Sequence, residues 1–404
     1  MPVVGNGDSV LHIERLKTHI DALSRLAAER QSLRESDVAR ALRWLAEAPD
    51  AATLHRRLAP VTSGEHDWPG ALPAGDMALN ARLTVAGDPP HGTVVIGVDG
   101  SQVFPDSHAA ALYYLIQIGG LAFSYDGARP RPYSDEALYF TDEALFDARG
   151  YLISNERVGM ERLVREMGYL AELAAIERTL APTASLLALT DGPLLWPYAE
   201  RSRADSQAVD AYLDALSEIR QVDGLPVGYV ARPGGRALVE LLWASRLAPE
   251  DVPARLQENP LRQLTDAALM AHFLAPGERS AWFTRPSATN QRHAGRGHEI
   301  WFCYVNVGAP SASSVYTDAI ARVEVPVWGA LNTDAIAVFH AVLLHQAQVL
   351  NGYPYVLARA HEEALVTTAD KAALDGEIQR RLFAQGILAR PSEKAQQKAF
   401  LGKR

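Results

Sequence analysis

The chain has 404 residues, 48% of them hydrophobic and 22% charged, with a formal net charge of −9 at pH 7. These values predict a globular protein with a sizeable core, in one large or two ordinary domains, and argue against nucleic-acid binding over the whole surface. The absence of a secretion signal and of a run of ~20 apolar residues predicts a cytoplasmic protein with no membrane partner, and the single cysteine, Cys303, excludes an internal disulfide or a cysteine zinc cluster.

Residues 1–90 are predicted to form an N-terminal extension of helices and loops, ahead of a main domain at 91–400. The segment 9–58 is predicted to be helical because apolar residues recur there at helical spacing, namely Leu11, Ile13, Leu16, Ile20, Leu23 and Leu26. Two interpretations stay open: a helix that covers the domain, or an amphipathic clasp for a partner or second subunit. Residues 61–93 are rich in Pro, Gly, Asp and Ser and are predicted to be a loop-rich connection.

The next part of the chain is predicted to build an α/β core. Strand signals lie at 94–98, 109–118 and 119–125, followed by a helix over 155–180 and a strand at 185–190. Three strands, a helix and a further strand form the opening of a ribonuclease H-like fold. We therefore predict a ribonuclease H-like mixed sheet flanked by helices, to which the N-terminal helices are added.

The second half of the chain continues the alternation of helices and strands. Helices are predicted at 202–220, 236–247, 262–275, 333–351 and 356–385, and strands at 227–231, 299–307 and 319–326. Residues 276–298 are polar and rich in Gly and Arg. The basic excess over 371–404 indicates either a solvated tail or an arm that contacts phosphates. The sequence has no Walker A loop, dinucleotide fingerprint, HExxH or CxxC, which argues against nucleotide-driven motors, dinucleotide enzymes and zincins.

Two Asp-Gly steps carry the main chemical prediction. Asp99 follows the apolar run 94–98, and Asp191 follows the run 186–190, so each is predicted to end a buried strand at a tight turn. If the two strands are parallel neighbours, both carboxylates lie at one edge of the sheet, where they supply the oxygen ligands that hard divalent cations need. Two such cations about 4 Å apart activate a water and stabilise the leaving oxygen of a phosphodiester.

A glutamate of the helix between the two aspartates is predicted to complete the site. Five glutamates lie on it: Glu156, Glu161, Glu166, Glu172 and Glu177. The strand 185–190 rises roughly 20 Å, and an antiparallel helix needs about 13 residues to match that rise. Counting back from Leu180 leads to position 167, so Glu166 is the first choice. Glu172 and Glu161 remain alternatives.

Single residues elsewhere support weaker predictions. His361 is a candidate metal ligand or phosphate contact, against the ordinary structural role that is assigned to His108, His340 and His345. Tyr353, which precedes a proline, either stacks on a base or anchors a turn.

Charged residues outside the predicted helix 155–180 support further predictions. Arg322 and Glu324 lie on one predicted strand and are interpreted as an ion pair in the wall of the site. Arg279 and Arg232 are either phosphate contacts or solvated surface residues.

Over most of residues 90–400 the chain resembles the NurA nuclease family. The resemblance rests on the segments 98–101, 162–166, 189–194, 277–280, 321–326, 352–354 and 360–361. It implies that 91–400 is a NurA-like nuclease domain with a ribonuclease H-like core. It also implies manganese-dependent 5′-to-3′ exonuclease and single-strand endonuclease activity in DNA end processing, with magnesium as a possible substitute. The implied partners are DNA, a second copy of the chain and a hexameric HerA-type ATPase.

The resemblance also assigns site residues. Carried over one by one, the metal-binding Asp, Glu and Asp of the family fall on Asp99, Glu166 and Asp191. The late Tyr and His fall on Tyr353 and His361, and His361 is counted among the metal ligands.

Two alternatives to a nuclease stay open, an adaptor with weak catalysis that docks on a HerA-type motor and a small-molecule phosphohydrolase. Digestion polarity, metal preference, dependence on the motor and a repair or defence role also stay open.

Overall fold

A computed structural model describes residues 13–62, 68–84, 87–147, 149–308, 319–350 and 352–387, without the side chains of 28–32. The helices are α1 (Ile13–Ala46), α2 (Ala51–Thr62), α3 (Asp142–Leu145), α4 (Asn155–Leu180), α5 (Arg203–Gln221), α6 (Ala237–Ala244), α7 (Val252–Arg255), α8 (Asp266–Phe273), α9 (Ala288–Gly295), α10 (Val327–Ala330), α11 (Thr333–Val349), α12 (Tyr355–Ala364) and α13 (Thr368–Ala384). The strands are β1 (Leu72–Pro73), β2 (Arg82–Leu83), β3 (Thr93–Val103), β4 (Tyr114–Ser124), β5 (Arg131–Tyr139), β6 (Ser185–Asp191), β7 (Gly224–Ala231), β8 (Arg279–Ser280), β9 (Phe283–Thr284), β10 (Ile300–Asn306) and β11 (Ile320–Pro326).

All of these strands belong to one mixed sheet, in the order β1-β9-β10-β11-β7-β6-β3-β4-β5, with β8 joined to β10 and β2 joined to β8. Strands β3, β4 and β5 form an antiparallel meander. Strands β6 and β7 run parallel to β3, and each is preceded by a helix, α4 or α5. The predicted mixed α/β fold with flanking helices is confirmed, and this strand order supports a ribonuclease H-like core.

Helices cover both faces of the central strands. On β3, Ile96 and Val98 belong to one apolar cluster with residues of α4 and α5, whereas Val95 belongs to a second cluster with residues of α11 and α12. Successive side chains of a strand point to opposite faces. The near-continuous apolar run before Asp99 is therefore what a strand buried on both faces requires.

Only the second half of α1 packs against the body of the protein. Val38, Ala41 and Leu45 join the apolar cluster that also contains residues of α2, α6 and α8. The predicted apolar lane of the first half is solvent-exposed at Ile13, Leu16, Ile20, Leu23 and Leu26, and Leu11 lies outside the described residues. The covering interpretation therefore fails for this half, and the clasp stays a prediction.

Within the described chain, no helix combines the length and apolar character needed to cross a bilayer.

The meander differs from its prediction. The segments predicted as two strands, 109–118 and 119–125, form the single strand β4, which pairs with β3 along its length from Val94 to Val103. The third strand is β5, which alternates between half-buried and exposed residues and has no apolar run that would reveal it. Because β3 continues four residues past Asp99, the predicted tight turn at Gly100 is wrong.

Two later segments contain elements that the sequence analysis did not distinguish. The polar stretch 276–298 contains β8, β9 and α9, the last begun by Ser287, whose hydroxyl accepts a hydrogen bond from the Asn290 amide. The helical zone 356–385 is divided between α12 and α13 at Thr367, which forms a capping box with Asp370. The basic segment from 388 onward lies outside the described residues.

Candidate metal centre

Asp99 and Asp191 lie side by side where the parallel pairing of β3 with β6 ends. The last pair in the β3–β6 register joins Val98 to Thr190, and the two aspartates follow directly. Neighbouring strands are about 4.8 Å apart, so the two backbones hold the carboxylates close together. The predicted parallel relationship of the two strands is confirmed.

The Asp99 carboxylate is nearly buried and is held from two sides. Its Oδ1 accepts a hydrogen bond from the Gly100 amide at 2.8 Å. Its Oδ2 lies 2.6 Å from Nδ1 of His361, which projects from α12 with 62% of its side chain exposed. His361 therefore lies in direct contact with a predicted metal ligand, Asp99.

Two glycines allow α12 to lie directly on the sheet beneath His361. A Cβ atom at Gly97 would lie 2.7 Å from the carbonyl oxygen of Val356, and one at Gly119 would lie 2.3 Å from that of Ala360. Real side chains do not reach such distances, so glycine is required at both positions for this approach. The close packing of α12 on β3 and β4 thus brings His361 to Asp99.

Glu166 is buried where α4 passes Gly100 of β3. A Cβ atom added at Gly100 would lie 2.4 Å from the Glu166 Oε1 atom, so the missing side chain leaves room for the carboxylate. Glu166 forms an ion pair with Arg162, one turn earlier on the helix, and Arg162 Nη1 also donates to the Gly100 carbonyl at 2.9 Å. Burial, together with the charges of Asp99 and Asp191, raises the pKa of Glu166 to about 8 against the opposing effect of Arg162.

The other glutamates of α4 have different surroundings. Glu161 pairs with Arg157 and Glu172 is exposed, while the buried Glu177 binds Arg131 and accepts a hydrogen bond from a tyrosine hydroxyl. Of the candidates weighed from the sequence, Glu166 is thus the one whose charge is coupled to both aspartates.

Asp191 is followed by a turn that only glycine adopts easily. Gly192 has a φ of +120°, and its amide donates to the Tyr229 carbonyl at 2.8 Å. Desolvation raises the pKa of Asp191, a hydrogen bond from Tyr353 lowers it, and the charge of Asp99 raises it. Burial and the charge of Asp191 raise the pKa of the Tyr353 phenol far above its ordinary value, so the hydroxyl keeps its proton and donates. Tyr353 thereby orients Asp191.

Glu324 has a role at the site beyond the predicted ion pair. The pair with Arg322 is present, at 2.6 Å between Nη2 and Oε1. The second carboxylate oxygen of Glu324 accepts hydrogen bonds from the amides of Leu194 and Leu195, both at 2.9 Å. It therefore fixes the loop that leads away from Asp191. The available sequence signal was a pair of charges two residues apart on an otherwise apolar strand, which puts both on one face.

The other arginines and histidines singled out in the sequence differ in how far they are buried. Arg279 is buried rather than solvated, whereas Arg232 is exposed just after β7 with a φ of +51°. His345 contacts the Tyr125 hydroxyl at 3.0 Å, and His108 is exposed. His340 is buried, as the structural interpretation requires.

The donor chemistry of the site fits a divalent cation. Three carboxylates share one neighbourhood, and desolvation together with mutual repulsion raises the pKa values of the buried Glu166 and the exposed Asp191. A cation would relieve this repulsion. In the part of the chain that the structure describes, no three His, Cys, Asp or Glu side chains converge as ligands of one ion. The carboxylate of Glu166 is turned to Arg162 and that of Asp99 to His361. Binding a cation would therefore require these pairs to open.

The chain was compared with protein-family models, curated proteins and solved structures. The model of the NurA domain matches residues 93–366. A search of curated proteins gave no match. Among solved structures, a crystal structure of NurA and one of NurA with manganese are each 12% identical with a TM-score of 0.36; they cover 73% and 74% of this chain and 90% and 91% of their own. A structure of NurA bound to dAMP and manganese is 13% identical with a TM-score of 0.31, covering 71% and 88%.

Proposed function

The chain belongs to the NurA family, and from that premise we propose that it is a metal-dependent DNA nuclease. The observation that carries the proposal is the shared position of Asp99, Glu166 and Asp191, which come from three separate elements. Carboxylates gathered in this way suit phosphodiester hydrolysis assisted by two metal ions. The sequence resemblance assigned the same three residues to the metal site.

Asp99, Glu166 and Asp191 are the residues that would hold the cations, with His361 as a further ligand, manganese as the expected metal and magnesium as its alternative. When bound, paired divalent cations activate a water and stabilise the leaving oxygen of the phosphodiester. The contact between Nδ1 of His361 and Asp99 directs the other ring nitrogen of this exposed side chain away from the carboxylate. When it does not bind a cation, that nitrogen is suited to hold or donate a proton at the scissile phosphate.

Two other residues position the site. Tyr353 donates to Asp191 and so selects one orientation of that carboxylate. Arg162 supplies the positive charge beside Glu166 and is anchored to the Gly100 carbonyl. If Glu166 bound a cation, the Arg162 guanidinium would be available to a phosphate, for which its planar donors are well suited.

The substrate we propose is DNA, both single- and double-stranded, with 5′-to-3′ exonuclease and single-strand endonuclease activity as the resemblance implies. The test is digestion of end-labelled DNA of both kinds by the purified protein with Mn²⁺, with Mg²⁺ and with EDTA. Metal-dependent degradation of the polymer supports the proposal. Hydrolysis of a nucleotide monoester with intact polymer would instead identify a small-molecule phosphohydrolase.

The exposed apolar lane of α1 favours a second role as the partner of a HerA-type hexameric ATPase, in a homodimeric nuclease. The alternative function, an adaptor with weak catalysis, uses the same surface. Co-purification with the motor, light scattering and the digestion assay separate the two. An adaptor binds the motor and cleaves no DNA with any divalent metal, whereas a nuclease cleaves DNA on its own.

A further inference from the structure

A cavity of about 360 Å³ lies between β8, β10 and α11. In the sheet order, β11 and β7 separate β10 from β6, so this cavity is distinct from the candidate metal centre. Its volume is in the range of small-molecule sites, which start at about 300 Å³. Arg279, Trp282, Trp301 and His340 line it, together with aliphatic side chains of α11.

Arg279 brings a buried positive charge to this cavity. The residue is 8% exposed, and its contacts are the Ser280 carbonyl at 3.1 Å and the ring of Trp282 at 5.2 Å. Among the described residues, Arg279 forms no ion pair. The carboxylate that lines the cavity, Asp76, is exposed. A buried guanidinium without a carboxylate partner is costly, and an anion bound in the cavity would offset that cost.

Two further polar atoms of the cavity lining are buried and unpaired. Nε2 of the His340 ring has no hydrogen-bond partner, in a residue only 2% exposed. Nε1 of Trp301 is an unpaired donor. Buried polar groups are nearly always satisfied in native proteins, so two orphans in one cavity indicate a ligand that supplies their partners. The ligand must offer an acceptor to the indole N–H of Trp301 and a polar partner to the imidazole nitrogen of His340.

The cavity walls favour a flat aromatic ligand. Two indole rings, Trp282 and Trp301, contribute to the lining, and the Arg279 guanidinium already stacks on one of them. Ile336 adds an aliphatic surface. Indole and guanidinium planes stack well on nucleobases, whose edges carry both donors and acceptors.

From these features we propose that the cavity binds one nucleotide. The base lies against the Trp282 ring and forms hydrogen bonds with Nε2 of His340 and Nε1 of Trp301, and the phosphate binds Arg279. The nucleotide is either free or the terminal residue of a DNA strand. This site does not depend on the nuclease proposal, because no residue of the candidate metal centre takes part.

The test is calorimetric titration of the whole protein with dAMP, deoxyadenosine, inorganic phosphate and a 5′-phosphorylated oligonucleotide. EDTA is present throughout, so that no metal-dependent binding or cleavage contributes. Ala337→Trp fills the cavity from an exposed position on α11, and Gln348→Trp is the matched control on the same helix. Arg279→Gln removes the charge.

We expect saturable binding of dAMP about tenfold tighter than that of deoxyadenosine, the advantage of a charge-assisted hydrogen bond. Ala337→Trp abolishes the binding and Gln348→Trp preserves it, while Arg279→Gln equalises the two ligands. If Arg279→Gln does not fold, the Ala337→Trp comparison decides. The tighter of dAMP and the oligonucleotide identifies the source of the nucleotide.

Three results would overturn the site. One is the absence of nucleotide binding, and another is binding that Ala337→Trp leaves unchanged. The third is binding of inorganic phosphate in place of the nucleotide. Each of these is independent of whether the protein cleaves DNA with Mn²⁺.

Discussion

Nδ1 of His361 lies 2.6 Å from Oδ2 of Asp99, across 262 positions of the chain. The contact depends on the close packing of α12 on β3 and β4 over Gly97 and Gly119. A helix near the C-terminal end of the domain thus contributes to a site built on the first strand of the core.

Replacement of His361 by alanine tests its role in the proposed reaction. Because the side chain is 62% exposed, we expect the melting temperature to stay within a few degrees of wild type. DNA cleavage should fall by about 100-fold or more, since proton transfer by a positioned side chain contributes that much. Single-turnover rates measure the effect, with His108→Ala, an exposed histidine, as control. Equal rates for His361→Ala and wild type would remove His361 from the mechanism.

The raised pKa of Glu166 predicts that the stability of the metal-free protein depends on pH. Burial raises its pKa from 4.5 to about 8. Between these values the folded protein keeps a proton that the unfolded chain releases, so the contribution of this group to stability is lost as the pH rises. Glu166→Gln removes that loss.

The stability of Glu166→Gln relative to wild type should therefore increase from pH 4.5 to pH 8, with a slope of at most about 1.4 kcal/mol per pH unit. Urea unfolding in EDTA at several pH values measures it. Glu172→Gln, which changes an exposed glutamate on the same helix, is the control. A difference that does not vary with pH would show that folding does not raise the pKa of Glu166.

Gly100→Ala tests the packing of Glu166 against β3. The new Cβ atom would meet the Glu166 carboxylate at 2.4 Å and Ile118 at 2.9 Å, so the glutamate must move. We expect loss of most cleavage activity and a cost of about 1–3 kcal/mol in stability. Gly168→Ala on α4, where no atom lies within 4 Å of the added Cβ, should be stabilising by up to about 1 kcal/mol. Full activity in Gly100→Ala would contradict the position assigned to Glu166.

Glu324→Ala tests the support of the loop after Asp191. The substitution leaves the amides of Leu194 and Leu195 without their acceptor and Arg322 without its ion-pair partner. Breaking a buried pair in this way costs about 3–5 kcal/mol. Glu324→Gln keeps one acceptor oxygen and should recover part of both stability and cleavage. If chemical denaturation showed no loss in Glu324→Ala, the loop would have another support.

The sequence predicted most of the elements that form the site. Asp99, Asp191 and Glu166 were identifiable because buried strands and a long helix leave strong apolar patterns, and a count of rise per residue placed Glu166 near the strand ends. Strand β5 was missed because an edge strand with half-exposed residues has no such pattern. The continuation of β3 past Asp99 was missed because its pairing with β4 is a tertiary interaction.

Contacts between residues distant in the chain could not be predicted from local sequence patterns. The ion pair of Arg322 and Glu324 was predicted, but the binding of the Leu194 amide to Glu324 depends on two chain segments that meet only in the fold. The burial of Arg279 has the same cause, since a polar, Gly- and Arg-rich stretch indicates a surface loop until the strands around it are known.

The central claim is that Asp99, Glu166 and Asp191 together hold divalent cations, and a Mn²⁺ titration followed by electron paramagnetic resonance tests it most directly. The comparison includes wild type, Asp99→Asn, Glu166→Gln, Asp191→Asn and the exposed control Asp142→Asn. We predict that wild type and Asp142→Asn bind Mn²⁺ equally, and that each of the other three loses at least about tenfold in affinity. Mn²⁺ binding by the three variants that matched wild type would contradict the claim.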